Sequence, residues 1–243
     1  MRILIISDIH SNLAALEAVL AAANEQGYGQ VWCLGDIVGY GPDPNECVTE
    51  VQNLEALCIA GNHDWAVLDR IPLEDFNIDA QKATLWTRDQ LTPESICYLE
   101  RQPERRVEGS FTLAHGSPRH PIWEYVHLPS VAAANFAYFG TPYCLVGHSH
   151  VPVIFRHLDE SQAEIFFPPL DVPLALEERR LIINPGSVGQ PRDGDPRASY
   201  VLLDEETSTV QFHRVEYPIN HTQTRMMEAG LPPRLAARLA FGW

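Results

Sequence analysis

Short apolar runs and amphipathic stretches alternate through the first hundred residues. Ile3–Ile6, Val31–Leu34 and Leu57–Ala60 are rich in aliphatic residues and end at polar residues or Gly, which predicts buried strands running into loops. Between the first two, Asn12–Glu25 sets Leu13, Leu16, Val19 and Leu20 on one face and closes at Gly27, the pattern of a helix. A Gly/Pro loop from Gly39 to Pro44 leads to a second helix over Asn45–Gln52. Residues 62–101 read as helical, broken around Ile71-Pro72 and Thr92-Pro93. Strand and helix in alternation predict a parallel sheet with right-handed crossovers.

From Arg105 the period changes. Arg105–Val107, Phe111–His115, Tyr143–Gly147, Val153–Leu158, Glu164–Phe167, Leu181–Asn184, Tyr200–Asp204 and Val210–Arg214 read as strands, with Ser130–Tyr138 a helix among them. A second, largely antiparallel sheet is expected. Two mixed sheets with helices outside give an α/β (α+β) fold, a four-layer α/β/β/α sandwich. Asn220–Ala229 and Pro233–Ala240 form a helical tail (219–243) whose Leu231, Leu235, Leu239 and Phe241 offer a packing face. The chain carries no repeat, low-complexity tract or linker, so residues 1–243 are expected to form a single domain.

Composition narrows the function. No run approaches the ~18 apolar residues of a membrane span, and the N-terminal apolar run meets Ser7 and Asp8, unlike a signal peptide. A cytoplasmic protein is expected, with no membrane partner. The five cysteines (Cys33, Cys47, Cys58, Cys97, Cys144) contain no Cys-x-x-Cys and mostly sit in apolar runs, as buried thiols of a reducing compartment do. Net charge is −15, and Lys82 is the lone lysine. Such a surface repels long nucleic acid. A small phosphorylated substrate remains compatible if bound cations reverse the field locally.

The chemistry sits where the apolar runs end. Asp8-Ile9-His10, Gly35-Asp36, Gly61-Asn62-His63-Asp64, His115-Gly116 and Gly147-His148-Ser149-His150 each follow one. Loops at the carboxyl ends of strands are where α/β proteins build sites. Asp8 with His10, and His148 with His150, stand two residues apart, so continuing strand alternation turns each pair to one side. Singly, each motif reads equally as a turn or loop residue. Together they form a mixed oxygen and nitrogen donor set suited to Mn, Fe, Zn, Co or Ni rather than Ca or Mg.

In order and spacing these blocks resemble the calcineurin-like metallophosphoesterase superfamily, over residues 1 to about 200. The resemblance implies that fold and two divalent transition-metal ions, manganese foremost. Asp8, His10 and His150 would hold one ion and Asn62, His115 and His148 the other, with Asp36 bridging. It implies a phosphoesterase in which a water bridging the ions attacks phosphorus in line without a covalent intermediate. His63, which is not a ligand, would protonate the leaving oxygen as a cationic imidazole or hydrogen-bond the phosphate; a supporting role orienting a ligand is the plainer alternative. Asp64 is expected to cap the following helix or orient the site.

The chain departs from the Ser/Thr protein phosphatases of that superfamily. Ile37-Val38-Gly39-Tyr40-Gly41 stands where they carry a second Asp and an Arg, and Asp64 where they carry Glu. This argues against a dedicated protein phosphatase and toward the compact bacterial and archaeal phosphodiesterase-like members. Specificity is expected from Arg119 and Tyr125 in the loop after His115, and from Arg192 in the loop Asn184–Asp193; each loop reads equally as structural. The expected activity is hydrolysis of a phosphodiester or nucleotide-like small molecule. Rivals are a dinucleoside polyphosphate hydrolase and a phosphomonoesterase or protein phosphatase. A rival of another class is a non-catalytic metal-binding scaffold for protein partners; the intact donor set with His63 favours the enzyme.

Overall fold

The structure, a computed structural model, describes residues 1–159, 161–176 and 178–243. Its centre is β1 (Arg2–Ile6), buried from Ile3 onward. Ile3 and Ile5 face one side and Leu4 and Ile6 the other, so both faces of the strand are covered. β2 (Gln30–Cys33) and β3 (Leu57–Cys58) join β1 in parallel, with Ile5 opposite Trp32 and Cys33 opposite Cys58. α1 (Leu13–Gln26) and α2 (Pro44–Asn53) make the crossovers. Asn12 is the N-cap of α1 rather than its first residue; its Oδ1 accepts from Ala15 N at 3.3 Å.

The expected third strand is shorter than its apolar run, ending at Cys58 rather than Ala60. The helical stretch after it divides into α3 (Asn62–Val67), a single 3-10 turn at Leu73–Asp75, α4 (Ile78–Gln90) and α5 (Pro93–Glu100). Pro72 breaks the first of these, and Asn77 and Thr92 cap the others.

The second sheet comprises β4 (Arg105–Glu108), β5 (Phe111–Ala114), β6 (Tyr143–Leu145), β7 (Pro152–Asp159), β8 (Gln162–Phe166) and, after the short β9 (Leu174–Ala175), β10 (Leu181–Pro185). Its order is β4-β5-β6-β10-β7-β8. β5, β6 and β10 are parallel to one another, with antiparallel strands outside them. The sheet is therefore mixed, not largely antiparallel. α6 (Pro129–Asn135) covers its outer face, packing Ala132 and the following Phe136 over Cys144, Ile182 and Phe155.

The last two strands correct the expected division at Arg105. β11 (Ala198–Asp204) and β12 (Thr209–Val215) return to the first sheet, giving the order β3-β2-β1-β11-β12-β9. Apolar alternation fits either sheet; the register Ile5↔Val201 decides it, because it turns Val201, Leu203, Val210 and Phe212 into the space between sheets. There they meet Leu113, Leu145 and Ile183 of the second sheet. α1 and α2 cover the first sheet's outer face, completing four layers.

The tail folds back over α3 and α4. α7 (Ile219–Glu228) and α8 (Pro233–Arg238) bury Met226, Leu231, Leu235 and Leu239 with Phe76, Ala80 and Ala83. Phe241 departs from the expected packing face and is exposed.

Candidate active site

Each sheet holds one set of three parallel strands, and their carboxyl ends meet at one edge. The loops after β1 and β2 carry Asp8 and Asp36, Asn62 opens α3 after β3, and the loops after β5 and β6 carry His115 and His148. Asp8, His10 and His150 form one donor group and Asp36, His115 and His148 another, with His10, Asp36 and His63 an overlapping third. Asn62 Oδ1 lies 3.2 Å from His115 Nε2. The structure thus brings all seven predicted donors together, each almost fully buried.

The pairs do not converge by strand alternation. β1 ends at Ile6, and Asp8, His10, Asp36, His148 and His150 all have φ between 50° and 64°. This left-handed backbone is unfavourable for non-glycine residues, and its concentration here is stored strain held by the surrounding fold. Turns, not pleats, aim the side chains.

The restraints are visible. Asp8 N donates to Gly35 O (3.1 Å) and His10 N to Asp36 O (3.0 Å). Ser187 Oγ and Gly189 N donate to Asp8 O, at 2.8 and 2.9 Å. Loop 184–193 therefore spends these groups bracing Asp8. Asp64 accepts from Gly61 N (2.9 Å), Asp36 N (2.8 Å) and Val38 N (3.2 Å), caps α3 and ties two donor loops together. Gly61 packs so closely that a Cβ there would collide with the Asp36 carboxylate.

The protons are assigned by the outer ring atoms. His10 Nδ1 faces Val38 O at 3.2 Å, His115 Nδ1 faces Leu34 O at 2.8 Å and His150 Nδ1 faces Gln190 O at 2.5 Å. A carbonyl can only accept, so each Nδ1 carries its proton, and in a neutral ring Nε2 presents a lone pair inward, as in His10 and His150. Burial pushes His10, His148 and His150 well below the usual imidazole range, so these rings are neutral.

Neutral His10 and His150 then bring two lone pairs to 3.1 Å. That contact is repulsive unless a cation lies between them. Two imidazole nitrogens this close would suit a shared cation. Asp36 Oδ2 and His148 Nε2 are buried with no hydrogen-bond partner, and both belong to the second donor group. Burial opposes a charge on His115, yet Asp36 (Oδ2 at 3.2 Å) overrides it and raises the ring to about 9. Burial likewise raises the Asp8 carboxyl to about 7. Every sign points to missing positive charge at the centre, and the donor set fits divalent transition-metal ions.

His63 stands beside this centre. Its ring lies 4.3 Å from Tyr40, 5.0 Å from His10 and 5.0 Å from Phe76, and its backbone N–H donates to Asp36 Oδ1 at 2.8 Å. Burial lowers it to about 4, so the resting ring is neutral rather than the expected cation.

A pocket of about 90 Å³ opens over the donors, roughly the volume of three waters. His63, Tyr40, Trp123, Tyr125 and Arg192 form its walls. Tyr125 stacks on His148 at 3.8 Å, so its position also braces a donor. Arg119 is corrected: it does not line the pocket, but binds Glu124 through two nitrogens on the outer side of the loop. Tyr40, Phe76 and Arg238 were not singled out. Tyr40 had a local signal, one aromatic set between two glycines just after Asp36; Arg238, more than forty residues beyond Arg192, had none.

The arrangement matches known proteins. Residues 1–208 match the calcineurin-like phosphoesterase superfamily domain. The chain belongs to that superfamily. It is a metal-dependent phosphoester hydrolase with two mixed sheets between helices, as the motifs implied. A metallophosphoesterase structure from Sphaerobacter thermophilus is 51% identical, covers 100% of this chain and 99% of that one, and superposes with a TM-score of 0.91. Uncharacterized protein MJ0912 of Methanocaldococcus jannaschii is 39% identical over 99% of this chain and 98% of its own. Phosphodiesterase YfcE of Escherichia coli (strain K12) is 28% identical over 86% of this chain and 91% of its own. Among the described residues, no helix is long and apolar enough to cross a membrane.

Proposed function

We propose that residues 1–243 act as one unit that hydrolyses a small phosphodiester or nucleotide-like ester at a dinuclear metal centre. The 3.1 Å approach of two neutral imidazole lone pairs beside the unpartnered Asp36 Oδ2 carries this reading. Asp8, His10 and His150 would hold one ion and Asn62, His115 and His148 the other, with the Asp36 carboxylate available to both. Two bound ions, manganese foremost, would neutralise the phosphate and make water a competent nucleophile near neutral pH.

The chain's own residues do the rest. The carbonyls of Val38, Leu34 and Gln190 fix the donor tautomers. The aromatic walls exclude water and admit one phosphoryl group with its arm, in keeping with the small pocket. A bound phosphate anion beside His63 favours the cationic ring. His63 then returns that proton to the leaving oxygen as the ester P–O bond breaks and the water oxygen bonds to phosphorus. The products are a phosphomonoester and an alcohol. YfcE's name as a phosphodiesterase supports the diester over the monoester.

The test is nitrophenol release from bis- and mono-nitrophenyl phosphate by manganese-loaded protein. Chelator-sensitive release, faster from the diester, is expected. Asp36→Asn should lose both metal stoichiometry and nearly all turnover. Two tightly held ions in an active Asp36→Asn protein would sink the bridging assignment. A preference for the monoester would overturn the diesterase reading.

A further inference from the structure

Two guanidiniums from distant parts of the chain meet beside the pocket, Arg192 lining it and Arg238 lining the adjoining groove. Arg192 comes from the loop after β10, and Arg238 is the last residue of α8. Both donate to one oxygen, Gln190 Oε1, Arg192 at 3.1 Å. Both also lie over the Tyr40 ring, at 5.9 and 4.8 Å. Tyr40 in turn touches His63 and His10. Gln190 also presents its carbonyl to His150 Nδ1. The two cations thus stand one residue away from the metal donors.

Neither has an ion-pair partner among the described residues, unlike the other arginines nearby. Arg197 pairs with Asp195, Arg225 with Asp43, and Arg214 with Asp193, the acid next to Arg192 in sequence. No ion pair among the described residues uses Arg192 or Arg238, although the chain has 32 acidic residues. The Nε of each is buried without a partner. Placing two like charges together in partial burial, with Gln190 Oε1 and the Tyr40 ring as their shared partners, is costly, and a bound anion would offset that cost. Burial, with Arg192 nearby, lowers Arg238 to about 10, which still leaves it charged at neutral pH. Space is present as well. Asn77 lines both the pocket and a groove of about 670 Å³ that runs past Arg238, Arg234 and Asp79 along α8.

We infer that Arg192 and Arg238 form a subsite for a second, terminal phosphate carried by the substrate beyond the phosphate that is hydrolysed. Two guanidiniums match a phosphomonoester, which carries about −1.5 to −2 charge and accepts paired N–H bonds. The preferred substrate class is accordingly a small phosphodiester bearing a separate phosphomonoester. This rests on the phosphodiesterase reading above; the subsite itself is testable without turnover.

The probes are the nitrophenyl ester of thymidine monophosphate and the same ester with a second phosphate on the sugar, given to the manganese-loaded protein. The second phosphate should lower KM by about tenfold or more, the scale of a charge-assisted contact. In Arg238→Met that discrimination should collapse toward unity through KM rather than kcat, with Arg238→Lys retaining part of it. Calorimetry with unreactive thymidine bisphosphate and thymidine monophosphate should give the same order of affinities. Equal affinity for the two nucleotides in the wild type, or discrimination unchanged in Arg238→Met, would overturn the subsite. If neither ester is turned over but the calorimetric preference stands, the diesterase reading fails and the subsite survives. Arg192→Met, on a loop rather than in the packed tail, repeats the test should Arg238→Met not fold.

Discussion

His63 was marked in the sequence only by its place after Asn62, and the structure gives it a physical setting. Tyr40, Phe76 and His10 enclose the ring, and burial holds it neutral at about 4 until an anion arrives. His63→Ala removes no donor from the two metal groups as proposed. Metal content should therefore stay at the wild-type level while turnover falls by on the order of 10²–10⁴-fold. The loss should shrink for leaving groups as good as nitrophenol, which need little protonation. Equal losses for nitrophenol and alkyl esters would assign the ring to phosphate binding instead. At this scale the clustering of Asp, Asn and His was legible because each follows an apolar run that ends at one edge of the sheets. Their aim was not: alternation predicted convergence for the wrong reason, since φ values near 50–64° at Asp8, His10, His148 and His150 arise from contacts between loops far apart in sequence. Arg119 differs for another reason: its guanidinium is bound to Glu124 and does not line the pocket.

Elements were legible where one residue period ran unbroken. α1 announced itself through Leu16, Val19 and Leu20, and β1 through an apolar run buried on both faces. Sheet membership was not, because β11 and β12 alternate in a way that either sheet would accept, and only pairing with β1 decides. The connection between β5 and α6 shows how a loop becomes an element. Glu124 accepts from Arg119, Asn135 Nδ2 (2.8 Å) and Ser117 Oγ (2.7 Å), clamping the segment that carries Trp123 and Tyr125 against α6. Burial works against the Glu124 charge, but those donors prevail and lower its carboxyl from 4.5 to about 2. A carboxyl with a depressed folded value stabilises fully above its unfolded value. That contribution fades as pH falls from about 4.5 through about 2. Glu124→Gln should therefore lower Tm by roughly 2–4 °C at neutral pH, the shift expected for ~1 kcal/mol in a chain of this size. The difference from wild type should vanish near pH 2. A gap that persists there would mean that the amide disrupts packing rather than removing a charge.

On the scale of the whole molecule, the tail is the feature that the sequence least disclosed. Its apolar positions were visible, but a packing face does not say what it covers. The structure seats Leu231, Leu235 and Leu239 on α3 and α4, directly behind Phe76 and Tyr40, which wall the pocket. Thr222 of α7 also donates to Asn12 Oδ1 at 3.0 Å, and Asn12 Nδ2 holds Gly189 O at 2.9 Å, so the tail braces the loop behind Asp8. The domain match ends at residue 208, yet this packing makes the tail part of the core. Met226 and the three leucines bury four large side chains, at ~1.5–3 kcal/mol each. That burial is offset in part by the entropy cost of ordering the tail, but losing it would leave Phe76, Ala80 and Ala83 exposed. A chain ending at residue 218 should therefore lose cooperative unfolding and aggregate. Leu235→Ala, the milder form of the same experiment, should cost ~2–5 kcal/mol and lower Tm by about 4–20 °C. Because Leu235 sits three residues from Arg238 on α8, that variant should also weaken nucleotide binding well below its melting transition. A soluble, two-state 1–218 chain with wild-type Tm would show instead that α7 and α8 merely rest on a core complete without them.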